Sequence, residues 1–186
     1  MGRRALPVLL ALALAVLPRL ARADDALIDV GAVQSWMRIS PLGQSTVPAT
    51  GIAARWMWVD GHGEVALGGR ITAWKPMWGK ETDSFGFDLQ FNAMFGGRFK
   101  GRKAHIMPCG GFGVGLRNMF LKPVESGRLA VSGIGLTLHL GAHGYFGRNK
   151  GFYWRLAGFG SAHLLFPDPG WSAGGGVELM FGIYID

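Results

Sequence analysis

The chain has a single cysteine, three tyrosines and only 17% charged residues. Lone Cys109 excludes an internal disulfide and a metal centre built on cysteine pairs, and it reads as a small buried side chain. Beyond residue 23 no apolar run approaches the 18 or more residues of a membrane helix, which excludes a helical membrane protein. Collagen is excluded as well, because the 31 glycines have no period of three.

The first residues have the form of an export signal. Arg3 and Arg4 precede an apolar run, residues 5–17, too short to span a bilayer. Ala21-Arg22-Ala23 supplies small residues flanking a cleavage point ahead of Asp24-Asp25. Residues 1–23 are therefore expected to be removed, leaving one domain over residues 24–186. No cysteine lies near that point, so no lipoprotein anchor is expected. The high isoelectric point belongs partly to the signal: without it, 15 basic residues face 12 acidic ones, a net charge of +3. That balance gives no support for nucleic-acid binding.

What is present is alternation. Phe85, Phe87, Leu89, Phe91, Ala93 and Phe95 alternate with Gly86, Asp88, Gln90, Asn92, Met94 and Gly96. Successive strand side chains point to opposite faces, so one face here is continuously apolar and the other small or polar. The pattern recurs in about eight segments: 27–39, 51–59, 64–75, 84–97, 105–117, 128–143, 152–166 and 172–185. The first alternates poorly: Ile28, Val30 and Ala32 share one face, Val33, Met37 and Ile39 the other. A bulge is the expected remedy. Pro108 in the fifth calls for an edge, a strand start or a bulge. Residues 60–63, 96–103, 147–151 and 167–170 read as turns. Residues 41–50, 76–83 and 118–127 read as longer loops.

A soluble barrel would turn its apolar face inward and need a well-hydrated outer face. Here the second face is mostly glycine and small residues with isolated charges, which suits the filling of a narrow barrel better. Arg55, Arg70 and Arg155 are expected to pair inside with Asp88 and Glu178, with Gln90 among them, because unpaired charge in such a space is costly. Aromatics gather near strand ends at Trp56 and Trp58, Trp74 and Trp78, Phe152 and Trp154, and Phe166 and Trp171, as interfacial girdles would. The expectation is an all-β, eight-stranded antiparallel up-and-down transmembrane β-barrel. A secreted, soluble lipocalin-like ligand-binding barrel is the alternative.

Over residues 27–186 this pattern resembles the small eight-stranded bacterial outer-membrane barrels, the OmpA-transmembrane-domain and OmpX class. The resemblance implies an outer-membrane location in a Gram-negative cell and contact with outer-membrane lipid and lipopolysaccharide. It also implies insertion by the barrel assembly machinery, a monomer, and no cofactor. Those barrels usually end on an aromatic residue, whereas this chain ends Phe181-Gly182-Ile183-Tyr184-Ile185-Asp186.

Eight strands leave no wide channel, so porin activity is not expected. A structural or surface-interaction role leads. An esterase is the alternative. Ser161 and His163 share a strand face, and folding about residues 167–170 is expected to bring Glu178 roughly opposite Ser161. Such a set can activate a hydroxyl. The trio resembles that of the outer-membrane lipid A 3-O-deacylases. Their motif is His-x-Ser, however, while this chain carries Ser161-Ala162-His163 with Leu165 in the place of their serine. The plainer reading is three polar fillers. His105, His139 and His143 do not make a metal site: the last two lie four apart on one strand, about 13 Å. The basic cluster Arg98, Lys100, Arg102 and Lys103 reads as a solvated turn, on the periplasmic side by strand counting.

Overall fold

The computed structural model describes residues 23–40, 46–60, 65–77, 84–96, 106–121, 129–146, 152–167 and 170–185. The signal segment, Trp78, His105 and the basic cluster at 98–103 lie outside the described residues. Eight antiparallel strands close into a barrel in chain order: β1 (Ala23–Ile39), β2 (Thr46–Asp60), β3 (Val65–Pro76), β4 (Phe85–Gly96), β5 (Ile106–Leu121), β6 (Leu129–Phe146), β7 (Phe152–Phe166) and β8 (Gly170–Ile185). β1 closes the barrel against β8 with an unbroken register from Ala26↔Ile185 to Ile39↔Ser172.

Alternation decides the faces. Every strand turns large apolar side chains outward, among them Ile28, Ile52, Ile71, Leu89, Leu116, Leu138, Leu156 and Leu179. Leu140 is 76% exposed and Ile52 70%. An apolar band running round the whole molecule far exceeds the few hundred Å² that soluble monomers leave bare. Of the charged side chains described, Asp29, Arg55, Arg70, Asp88, Arg117, Arg155 and Glu178 are buried. Arg38 and Lys75 sit outside that group, near the end opposite the chain termini. The apolar face is thus the outer one, as an all-β transmembrane barrel requires.

Three expectations need correction: the bulge in β1, the loop bounds beside β2 and β5, and the place of Trp74. No bulge interrupts β1 between Asp25 and Arg38, where its pairing with β2 is continuous. The mixed pattern has another cause. Met37 and Ile39 point inward into an apolar layer that plugs the lumen, and Val33 points inward to pack with Ala53 and Met180. The same plug lengthens neighbouring strands into segments read as loops. β2 begins at Thr46, with Val47 and Ala49 buried, and β5 continues to Leu121, with Met119 and Leu121 buried. Trp74 does not join a girdle. It shares the inward face of β3 with Arg70 and Thr72 and is 5% exposed. Gly86 makes its place: a Cβ there would stand 2.2 Å from the Trp74 ring. Pro108 is the third residue of β5, close to the strand start. Cys109 is buried.

Candidate functional site

The lumen is layered. Near the terminal end, Leu27, Met57, Val59, Met94 and Tyr153 form one apolar plug. Near the other end, Met37, Ile39, Ala49, Trp74, Met119, Leu121, Val131 and Leu165 form a second. Between them lies a layer of charged and polar side chains. The described internal cavities hold only about 20–30 Å³, room for a water or two and no passage for solutes.

The charged layer is built largely on direct cross-strand neighbours. Asp29 of β1 stands opposite Arg55 of β2. Their side chains pair through both carboxylate oxygens, Arg55 Nε donating to Oδ1 at 3.1 Å. Asp88 of β4 stands opposite Arg117 of β5. That pair is bidentate, with Nε and Nη2 donating at 2.8 and 2.7 Å, and Arg117 Nη1 also donates to Ser172 at 3.1 Å. Arg55 also faces Arg70 across β2 and β3. Like charges so placed repel, and a carboxylate on either side offsets this: Asp29 for Arg55, Glu178 for Arg70. Glu178 of β8 lies between two guanidiniums, 2.7 Å from Arg70 Nη2 and 2.5 Å from Arg155 Nη1. His139 Nδ1 is 3.4 Å from the same carboxylate, and its Nε2 lies 3.1 Å from Arg70 Nη1. Gln90 donates to Thr137 at 2.9 Å.

All six residues read from the sequence as an interior set, Arg55, Arg70, Asp88, Gln90, Arg155 and Glu178, are buried in the lumen. The expected partners are corrected in two places: Arg55 pairs with Asp29, and Asp88 with Arg117. Cross-strand register is the reason, since each stands directly opposite its partner. Asp29 is hidden in the sequence by the mixed pattern of β1. Arg117 sits at the edge of a segment read as a loop, although its parity with Cys109 marks it as inward.

The esterase trio is not assembled. Ser161 pairs with Gly174, and Glu178 pairs with Ala157. Glu178 is thus four positions further along β8 than the residue opposite Ser161, about 13 Å. The β7–β8 hairpin folds closer to its tip than expected, with Leu165 opposite Gly170. Ser161 Oγ and both ring nitrogens of His163 have no hydrogen-bond partner. Glu178 is held by the two arginines and His139. No nucleophile–base–acid chain exists among these three. Among the described residues no cluster of His, Cys, Asp and Glu could hold a metal ion.

The sequence matches no known protein family, and no curated protein matches it. Comparison with solved structures gives a consistent result. Neisserial surface protein A (NspA) superposes with a TM-score of 0.69 at 9% identity, covering 85% of this chain and 96% of that one. This chain has the fold of the small outer-membrane barrels. Ail, the attachment invasion locus protein of Yersinia pestis, matches with a TM-score of 0.55 at 13% identity, over 87% of this chain and 98% of Ail. OprG from Pseudomonas aeruginosa matches with 0.51 at 14%, over 88% and 97%. At such identities the likeness concerns the fold: an eight-stranded closed barrel with its apolar face outward, reached by a very different sequence.

Proposed function

We propose that the protein is a non-enzymatic outer-membrane barrel with a structural or surface-interaction role. The observation that carries this reading is the lumen. Two apolar plugs seal a charged layer whose described carboxylates are each held by arginine, so the interior offers no conduit and no carboxylate free to serve Ser161 and His163. Interaction then falls to the outer wall and to the connections between strands.

In this reading residues 1–23 direct export, the barrel assembly machinery inserts the chain, and the barrel stands as a monomer in the outer membrane of a Gram-negative cell. The termini are periplasmic. The connections around residues 41–45, 78–83 and 122–128 then face outward and carry any contact with surface partners. Two of the proteins with this fold are named for a surface role, the Neisserial surface protein and the attachment protein Ail. The lipid A deacylase and soluble lipocalin-like alternatives are not supported by the register of β7 and β8 or by the apolar outer band.

The test is removal of the chain from its own cell. The reading predicts a change in detergent sensitivity or surface binding with an unchanged acyl pattern of lipid A. Loss of one acyl group from lipid A in producing cells, abolished by Ser161→Ala, would overturn it.

A further inference from the structure

The outer wall is not uniformly covered. On most strands the outward side chains are large, but along the upper part of β7 and β8 they shrink to Gly158, Gly160, Ala162, Ala173 and Gly175. Gly160 faces Gly175, and Ala162 faces Ala173, so the small residues form one patch across two strands. Sterics within the chain do not impose it at Gly158 and Gly160. A Cβ added at either would meet nothing nearer than 3.8 Å and 4.0 Å. Glycine inside a strand weakens it, and its presence commonly marks the close approach of something else. Where this patch ends, at Ala162 and Ala173, a groove of about 380 Å³ opens, walled by Val114, Ile134, Leu136, Leu164 and Trp171. That volume lies in the range of small-ligand sites, ~300–1,000 Å³.

The groove has a charged mouth. Arg38 stands opposite Ala173 in the β1–β8 register, and its guanidinium lies 5.4 Å over the Trp171 ring. The Trp171 backbone N–H donates to Ser40 Oγ at 3.0 Å, which ties the start of β8 to the end of β1. An apolar slot with a cation over one of its walls, Arg38 above Trp171, matches a lipid with an anionic head and an apolar tail. In a bilayer, surrounding chains are as apolar as the slot, so the hydrophobic effect does not select an occupant. Shape and head-group charge must do so, and arginine is suited to phosphate.

We propose that this groove is a lipopolysaccharide site: one acyl chain lies across Ala162 and Ala173, and a phosphate of the head group meets Arg38. The choice of lipid rests on the orientation given under Proposed function, since the groove lies toward the end opposite the chain termini and therefore in the outer leaflet.

The test uses the full chain folded in detergent, its closure checked by the gel shift between boiled and unboiled samples. It is titrated with lipopolysaccharide and, separately, with phosphatidylglycerol, and bound lipid is counted by native mass spectrometry. One retained lipopolysaccharide is expected. Ala162→Trp fills the slot from outside and Arg38→Gln removes the charge, and each should lower retention about tenfold with the gel shift intact. Ala173→Leu, at the other small lining residue, serves as a second filling variant should Ala162→Trp fail to close. Equal retention of phosphatidylglycerol overturns the choice of lipid. Retention unmoved by the substitutions overturns the groove. A dimer that the filling variants dissociate assigns the patch to a second copy and overturns the proposal too. Loss of the shift in the unsubstituted chain would instead defeat the barrel reading itself.

Discussion

Glu178 meets two buried arginines, Arg70 and Arg155, and no other carboxylate in the lumen is shared in this way among the described ion pairs. Removing it leaves both guanidiniums uncompensated in a space too tight to rehydrate. Breaking a buried pair from one side typically costs about 3–5 kcal/mol. Glu178→Ala should therefore lower the unfolding free energy of the folded barrel by about that amount or more, measured by urea titration in detergent or vesicles. The Asp29–Arg55 pair offers a contrast. Replacing both at once with leucine and methionine removes charge and counter-charge together and should be close to neutral, whereas Arg55→Met alone should be strongly destabilising by the same assay. Ser161→Ala is expected to leave lipid A unaltered and stability unchanged or slightly raised, because the hydroxyl is buried without a partner.

At the scale of the strand, inward and outward positions obey opposite rules. Leu138→Arg places a charge in the middle of the apolar band and should cost about 2–4 kcal/mol, the range for a cation near the bilayer midplane. Gly86→Ala should also destabilise, because its methyl group would collide with the Trp74 ring, while Gly158→Ala should be tolerated in open space. Comparing urea midpoints of the two glycine variants checks this directly. Parity makes much of this legible in the sequence alone. Phe85 to Phe95 announces its two faces, and Arg70, Arg155 and Glu178 stand on the small-residue side of theirs. Parity failed where the lumen itself is apolar. In β1 both faces carry hydrophobic residues, so the pattern hides Asp29 and suggests a bulge that the ladder does not contain. Met119 and Leu121 continued β5 into a segment whose composition reads as loop. Register was the other blind spot. A strand pattern says which face a residue takes, not which residue stands across from it, so the pairing of Arg55 with Asp29 and the distance between Ser161 and Glu178 needed the ladder.

For the molecule as a whole, the layered interior argues against transport. The plug around Met57 and Tyr153 and the plug around Trp74 and Leu165 close both ends of the charged layer. In planar bilayers the barrel should show no porin-sized conductance. Opening one plug with Trp74→Ala should admit water before it admits solutes, since the charged layer remains. The central claim is that the apolar band faces lipid and the charges face each other inside a closed barrel. Fractionating the producing cell and running boiled beside unboiled samples tests it most directly. The account predicts a band in the outer-membrane fraction whose migration shifts on boiling. A soluble band in the periplasm or medium with no shift would contradict it.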